Sequence, residues 1–159
     1  MKATAILFAL FLAPLSALAD VSGTGLAKDG EVISVDGTPL RLHGIDVLEK
    51  DQLCRKSGTT WPCGSEATEQ LKKWLHTKEV RCVGSETSKD GLLNAECFVD
   101  GYNLNARLVS EGWALAYTRY SDKYLPEQNQ ARSEKKGMWV GEFVKPWDWR
   151  RGERLASDY

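Results

Sequence analysis

The sequence predicts an α+β fold, a small curved barrel of short strands with helices inserted between them. Short apolar runs end at Asp-Gly pairs, as hairpins do, and amphipathic stretches at helical spacing separate them. The chain also has the length of one core rather than two.

Met1 to Ala19 combine a cation at Lys2, an apolar run from Ala5 to Leu15 and the small-residue ending Ala17-Leu18-Ala19. That pattern predicts a secretory signal peptide over 1–19, with the folded domain over 20–159. The run is shorter than the roughly 20 residues a spanning helix needs, and no later run approaches that length. The expectation is a periplasmic or secreted monomer with no membrane span.

Glu31 to Val35 and Leu40 to Ile45 flank Asp36-Gly37 and read as a hairpin. Val47 to Cys63 is polar, with glycine, proline and two cysteines, and reads as a long loop of the kind that often carries function. Ser65 is expected to cap a helix with Glu66 and Glu69 in its first turn and Ala67, Leu71, Trp74 and Leu75 on its apolar face. Strands follow at Glu79 to Val83 and at Leu92 to Val99, where Leu93, Ala95, Cys97 and Val99 share one face. A second helix, about Asn103 to Glu111, should bury Leu104, Leu108 and Val109 and stop at Gly112. Trp113 to Tyr117 reads as a short strand, and about Tyr124 to Lys136 as a third helix.

Without the first 19 of its 159 residues the chain keeps 140, and setting aside Lys2 leaves 20 basic against 22 acidic groups. Near-neutrality argues against tight, sequence-independent clamping of duplex nucleic acid, which depends on neutralising many phosphates together. The tail Lys145-Pro146-Trp147-Asp148-Trp149-Arg150-Arg151 interleaves cations with indoles. Such a tail either stacks bases and holds phosphates or tucks its tryptophans onto the core.

Cys54, Cys63, Cys82 and Cys97 lie in a chain expected to meet oxidising conditions. Of the three pairings four cysteines allow, Cys54 with Cys63 would close the loop and Cys82 with Cys97 would join neighbouring strands. No C-x-x-C pair supports a zinc site. His43 and His76 have no neighbours that suggest catalysis.

The stretch Leu40-Arg-Leu-His-Gly-Ile-Asp46-Val-Leu-Glu49 resembles the R-L-x-G-I-D-[AT]-P-E signature of the staphylococcal (thermonuclease-type) nuclease family. Trp61-Pro-Cys63-Gly64, Leu108-Val-Ser-Glu-Gly-Trp-Ala114 and Gly137-Met-Trp139 continue the similarity in order, over about Gly23 to Arg150. The resemblance implies a five-stranded OB-fold barrel with three helices, and calcium-dependent cleavage of phosphodiesters in DNA and RNA. Such chemistry needs a hard cation on carboxylate oxygens, guanidinium groups on the phosphate and a carboxylate for the attacking water.

By that resemblance Asp46 matches a metal-binding aspartate, Glu49 the glutamate associated with the water, and Arg41 the first phosphate-binding arginine. Glu31 falls on the other metal aspartate, one methylene longer, and Lys89 and Tyr117 match positions that hold the nucleotide. The second catalytic arginine becomes Leu92, which cannot donate to phosphate. Loss of one preorganised donor costs about 3 to 4 kcal/mol, so the expectation is a weak or impaired hydrolase, with Ca2+ as cofactor if active. The alternative is a non-catalytic OB-fold accessory or binding protein of the cell envelope, for example in exopolysaccharide biosynthesis, with a protein or polysaccharide partner. A different basic side chain reaching the cleft in place of Leu92 would change the diagnosis.

Overall fold

The structure is a computed structural model, and it describes residues 18–156. The expected signal peptide lies outside the described residues up to Ala17, and the first strand opens at Ala19, one residue before the expected start of the domain.

Strand β1 (Ala19–Ala27) is followed by β2 (Val32–Val35) and β3 (Thr38–Leu42). The Asp36-Gly37 turn between β2 and β3 takes positive φ at both residues, 45° and 83°, as a two-residue type I′ hairpin requires. The short β4 (Ile45–Val47) leads into the disulfide loop. That loop is more ordered than its composition suggests. It contains a second hairpin, β5 (Cys54–Lys56) and β6 (Thr59–Trp61), turning on Ser57-Gly58 with φ of 50° and 80°.

Helix α1 (Cys63–Leu75) begins before Ser65, with Pro62 at its N-cap and no side-chain cap, so the expected serine cap is not formed. Gly64 explains the early start. A Cβ there would stand 1.7 Å from the Glu49 carbonyl oxygen, so only glycine lets the first turn lie against the loop. Ala67, Leu71 and Leu75 are buried as the spacing predicts, while the half-buried Trp74 stacks under Arg107, 4.3 Å from its guanidinium carbon.

Strands β7 (Glu79–Thr87) and β8 (Leu93–Val99) follow, then β9 (Tyr102–Asn103) and α2 (Leu104–Ser110), capped by Asn103 accepting from the Ala106 N–H. Next come β10 (Ala114–Ala116), α3 (Leu125–Ser133), a 3-10 turn over Gly137–Val140 and the single-turn α4 (Pro146–Trp149).

Strand β1 pairs antiparallel with β2 and β7, β2 with β3, and β7 with β8. The parallel pairing of β3 with β8, Leu40 opposite Leu93, closes the five strands β3-β2-β1-β7-β8 into a barrel. The fold is the expected α+β arrangement, an OB-like five-stranded barrel with helices. Ile33, Val35, Leu40, Leu42, Val80, Ala95 and Cys97 point inward and meet Leu71, Leu75 and Leu108 from the helices. Each large aliphatic side chain buried there contributes about 1.5 to 3 kcal/mol.

Both expected disulfides form, Cys54–Cys63 and Cys82–Cys97. Cys82 and Cys97 are directly opposite on β7 and β8. Cys54 and Cys63 belong to a second, smaller core with Leu48, Leu115 and Met138, against which Trp61, Trp139, Phe143 and Trp147 pack. This smaller core joins the loop after β4 to the C-terminal segment.

Candidate functional site

One wall of a polar cleft comes from the barrel. The Asp29 carboxylate accepts from the backbone N–H of Glu31 at 2.9 Å and of Val32 at 2.7 Å, fixing the turn that enters β2. Val32 lies opposite Arg41 in the β2–β3 register, so the side chains of Glu31 and Arg41 meet in an ion pair. Arg41 also donates to Asp90 at 2.7 Å, from the turn joining β7 to β8. The Ser88 hydroxyl and Arg41 hold the Asp90 carboxyl down at about 2.

Asp46 forms the floor. It sits on β4, opposite Leu115 of β10, with 2% of its surface exposed.

The other wall comes from the loop after β4 and from the C-terminal segment. Gln52 is fully buried, its amide oxygen accepting from the Glu49 N–H at 3.2 Å and its amide nitrogen donating to the Val144 carbonyl. Arg55 and Glu142 exchange backbone hydrogen bonds of 2.9 and 2.7 Å and a side-chain ion pair of 2.6 Å. The chain then turns through α4 and presents Arg150. Its guanidinium donates to Asp46 Oδ1 at 3.0 Å, to Asp46 Oδ2 at 2.6 Å and to Glu49 Oε1 at 2.7 Å.

The electrostatics couple the two walls. Burial, and next the like charge of Asp46, push the Glu31 carboxyl up to about 7, outweighing the pull of Arg41. Burial also raises Asp46, against the opposing hydrogen bonds from Arg150. The Asp46 hydrogen bonds in turn raise the pKa of Arg150, which stays charged throughout.

Glu31, Arg41, Asp46 and Glu49 thus converge as the sequence suggested. Tyr117 follows β10, with its ring 5.1 Å from that of Tyr120 and 5.5 Å from that of Trp147. Lys89 is exposed on the β7–β8 turn, and it is the neighbouring Asp90 that reaches the cleft. Leu92 is half-buried, its carbonyl accepting from Ser88.

Three participants escaped the sequence reading: Asp90, Gln52 and Arg150. Only the tail's mixture of indoles and cations signalled Arg150, and nothing local pairs it with an aspartate 104 residues away. The tail tucks an indole onto the core, one of the two arrangements its composition suggested, and also sends a cation to the acidic residues. Trp147 packs on the smaller core while Arg150 enters the cleft.

A hard cation suits this donor set. Glu31 is raised first by burial and next by the like charge of Asp46, and a divalent ion between two such carboxylates would offset both their mutual repulsion and the cost of holding them ionised in a buried place. Among the described residues no three Asp, Glu, His or Cys side chains gather into a ready-made metal cage. An ion held by Glu31 and Asp46 would complete its shell with water and substrate oxygens, as calcium and magnesium commonly do.

Residues 39–141 match the family model described as staphylococcal nuclease homologue. The chain is 31% identical over 141 residues to an uncharacterized endonuclease of Escherichia coli, covering 83% of this chain and 86% of that protein. It is 28% identical over 148 residues to a micrococcal nuclease of Shigella flexneri, covering 82% and 80%. It is 30% identical over 133 residues to a probable staphylococcal-like nuclease of Oryza sativa subsp. japonica, covering 80% of this chain but only 37% of the larger rice protein.

Proposed function

The chain belongs to the family of staphylococcal nuclease homologues, and from that premise we propose that it is a calcium-dependent phosphodiester hydrolase acting on DNA or RNA. The observation that carries the reading is the buried Asp46 with the raised Glu31 carboxyl beside it, flanked by Arg41 and Glu49. The names of the relatives, endonuclease and nuclease, support nucleic acid as the substrate class.

In this reading Glu31 and Asp46 are the residues that would hold the cation, which would supply positive charge to offset the negative charge building on the phosphate. Arg41 donates N–H bonds to the phosphate as charge builds on the pentacoordinate species. Glu49, at the rim, orients a water and accepts its proton as the new P–O bond forms and the ester P–O bond breaks. The departing ester oxygen takes a proton from solvent. Glu31 in place of aspartate moves one ligand by about an ångström, a displacement that can lower the rate on the order of a hundredfold. The remaining rate depends on a second guanidinium, which position 92 does not supply.

Two disulfides support a working place outside the cytoplasm, as the signal-like leader does. The test is incubation of the protein with single-stranded DNA and with RNA, in calcium, in magnesium and in chelator. Metal-dependent cleavage well above an Asp46→Ala control is the expected result, and cleavage no greater than that control defeats the reading.

A further inference from the structure

We propose that Arg150, delivered by the C-terminal segment, is the second phosphate-gripping guanidinium of this cleft and takes the part that Leu92 cannot. The inference rests on the hydrolase reading above and adds a catalytic residue to it. Arg150 lies beyond residues 39–141, the stretch matched by the family model.

Position 92 is adjacent to Arg41 by topology. Leu93 pairs with Leu40 across the parallel β3–β8 contact, and Asp90 of the same turn touches Arg41. An arginine at 92 would approach the cleft from the barrel wall. Arg150 approaches from the opposite wall and ends on Asp46 and Glu49, the floor of the cleft and the carboxylate assigned to the water. Arg41 and Arg150 therefore stand on either side of the acidic centre.

The availability of Arg150 distinguishes it from a buried tether. Asp46 keeps 3% of its side chain exposed, but Arg150 keeps 44%, at the cleft mouth. A guanidinium carries five N–H bonds, and Arg150 spends three on the two carboxylates. The other two can receive a phosphate oxygen while Asp46 still fixes the plane of the group. When Glu49 accepts the proton of the attacking water it becomes neutral, its hold on Arg150 weakens, and that N–H is released as phosphate charge peaks.

The segment is also anchored, as a preorganised donor must be. Gln52 ties it at Val144, Arg55 at Glu142, the buried Pro146 and the ring of Trp147 seat α4, and the Arg150 N–H closes its turn on the Pro146 carbonyl at 3.0 Å.

The test compares wild type, Arg150→Ala, Arg150→Lys and Arg150→Ala combined with Leu92→Arg, using single-stranded DNA in calcium, with urea midpoints measured for each. Arg150→Ala should lower kcat on the order of a hundred- to a thousandfold with KM changed only a few-fold. Arg150→Lys, which keeps the charge without the fork, should recover less than about a tenth of the lost rate. Leu92→Arg should restore at least about tenfold in the Arg150→Ala background, a rescue that a purely structural tether would not permit.

An Arg150→Ala enzyme within about threefold of wild type in kcat overturns the proposal, as does loss of rate matched by loss of folding in all three variants. If wild type itself does not exceed Asp46→Ala, the hydrolase reading falls. The phosphate contact is then judged by anisotropy of a labelled single-stranded oligonucleotide in calcium, where affinity weakened a few-fold on Arg150→Ala is the expected result and affinity unchanged within error overturns it as well.

Discussion

The barrel wall of the cleft and its loop wall reach the same floor by different means. Glu31 and Arg41 are 10 residues apart on one hairpin, whose register places them together, whereas Arg150 meets Glu49 across 101 residues. The barrel wall inherits its geometry from a closed sheet and a large apolar core. The loop wall depends on a smaller core, one disulfide and a few polar ties, among them a fully buried glutamine. Catalytic groups on the barrel should therefore tolerate perturbation elsewhere, and those on the loop should follow whatever moves the C-terminal segment.

Removing the phosphate donor of the barrel wall gives the largest expected effect. Arg41→Ala should lower kcat for single-stranded DNA in calcium on the order of a thousandfold, about 4 kcal/mol in the barrier. A loss below about tenfold would mean the barrel wall does not touch the phosphate.

Next comes the pH dependence of folding without metal. The Glu31 carboxyl titrates at about 7 when folded, against an ordinary 4.5, so its contribution is full below about pH 4.5 and fades as pH rises through 7. Between pH 5 and 8 the urea stability of chelated protein should fall by on the order of 2 to 3 kcal/mol. Glu31→Gln should remove most of that slope. An equal slope in the variant would assign the titration elsewhere.

Breaking the loop wall without touching a reacting group is the sharper comparison. Gln52→Ala leaves the Glu49 N–H and the Val144 carbonyl without their partner. It should cost about 2 kcal/mol in urea denaturation and lower kcat by roughly tenfold as Glu49 and Arg150 drift. If kcat holds while stability falls, the two walls are equally independent of their supports.

The smallest effect is expected at Lys89, exposed on a turn that approaches the cleft through Asp90. Lys89→Ala should change KM by less than about twofold, the usual scale for an exposed charge. A change of tenfold would assign Lys89 to the nucleotide site, as the family resemblance implies.

Much of this molecule could be read from residue order alone, because its determinants are local. Asp36-Gly37 specified a hairpin through positive φ, alternation along Leu93 to Val99 specified which face is buried, and helical spacing picked out Ala67, Leu71 and Leu75. Resemblance to a known family, rather than any local rule, suggested that Arg41, Asp46, Glu49 and Glu31 share one site, and the positions of the cysteines suggested both bridges. Glycine at 64 carried a meaning visible only in three dimensions, the passage of the Glu49 carbonyl against α1.

Tertiary structure alone decided which cation faces Asp46. Dihedral preference and hydrophobic period act over a few residues and say nothing about two side chains 104 positions apart. That pairing follows from where the closed barrel and the smaller core leave the C-terminal segment, and from the high cost of leaving a buried carboxylate without a partner.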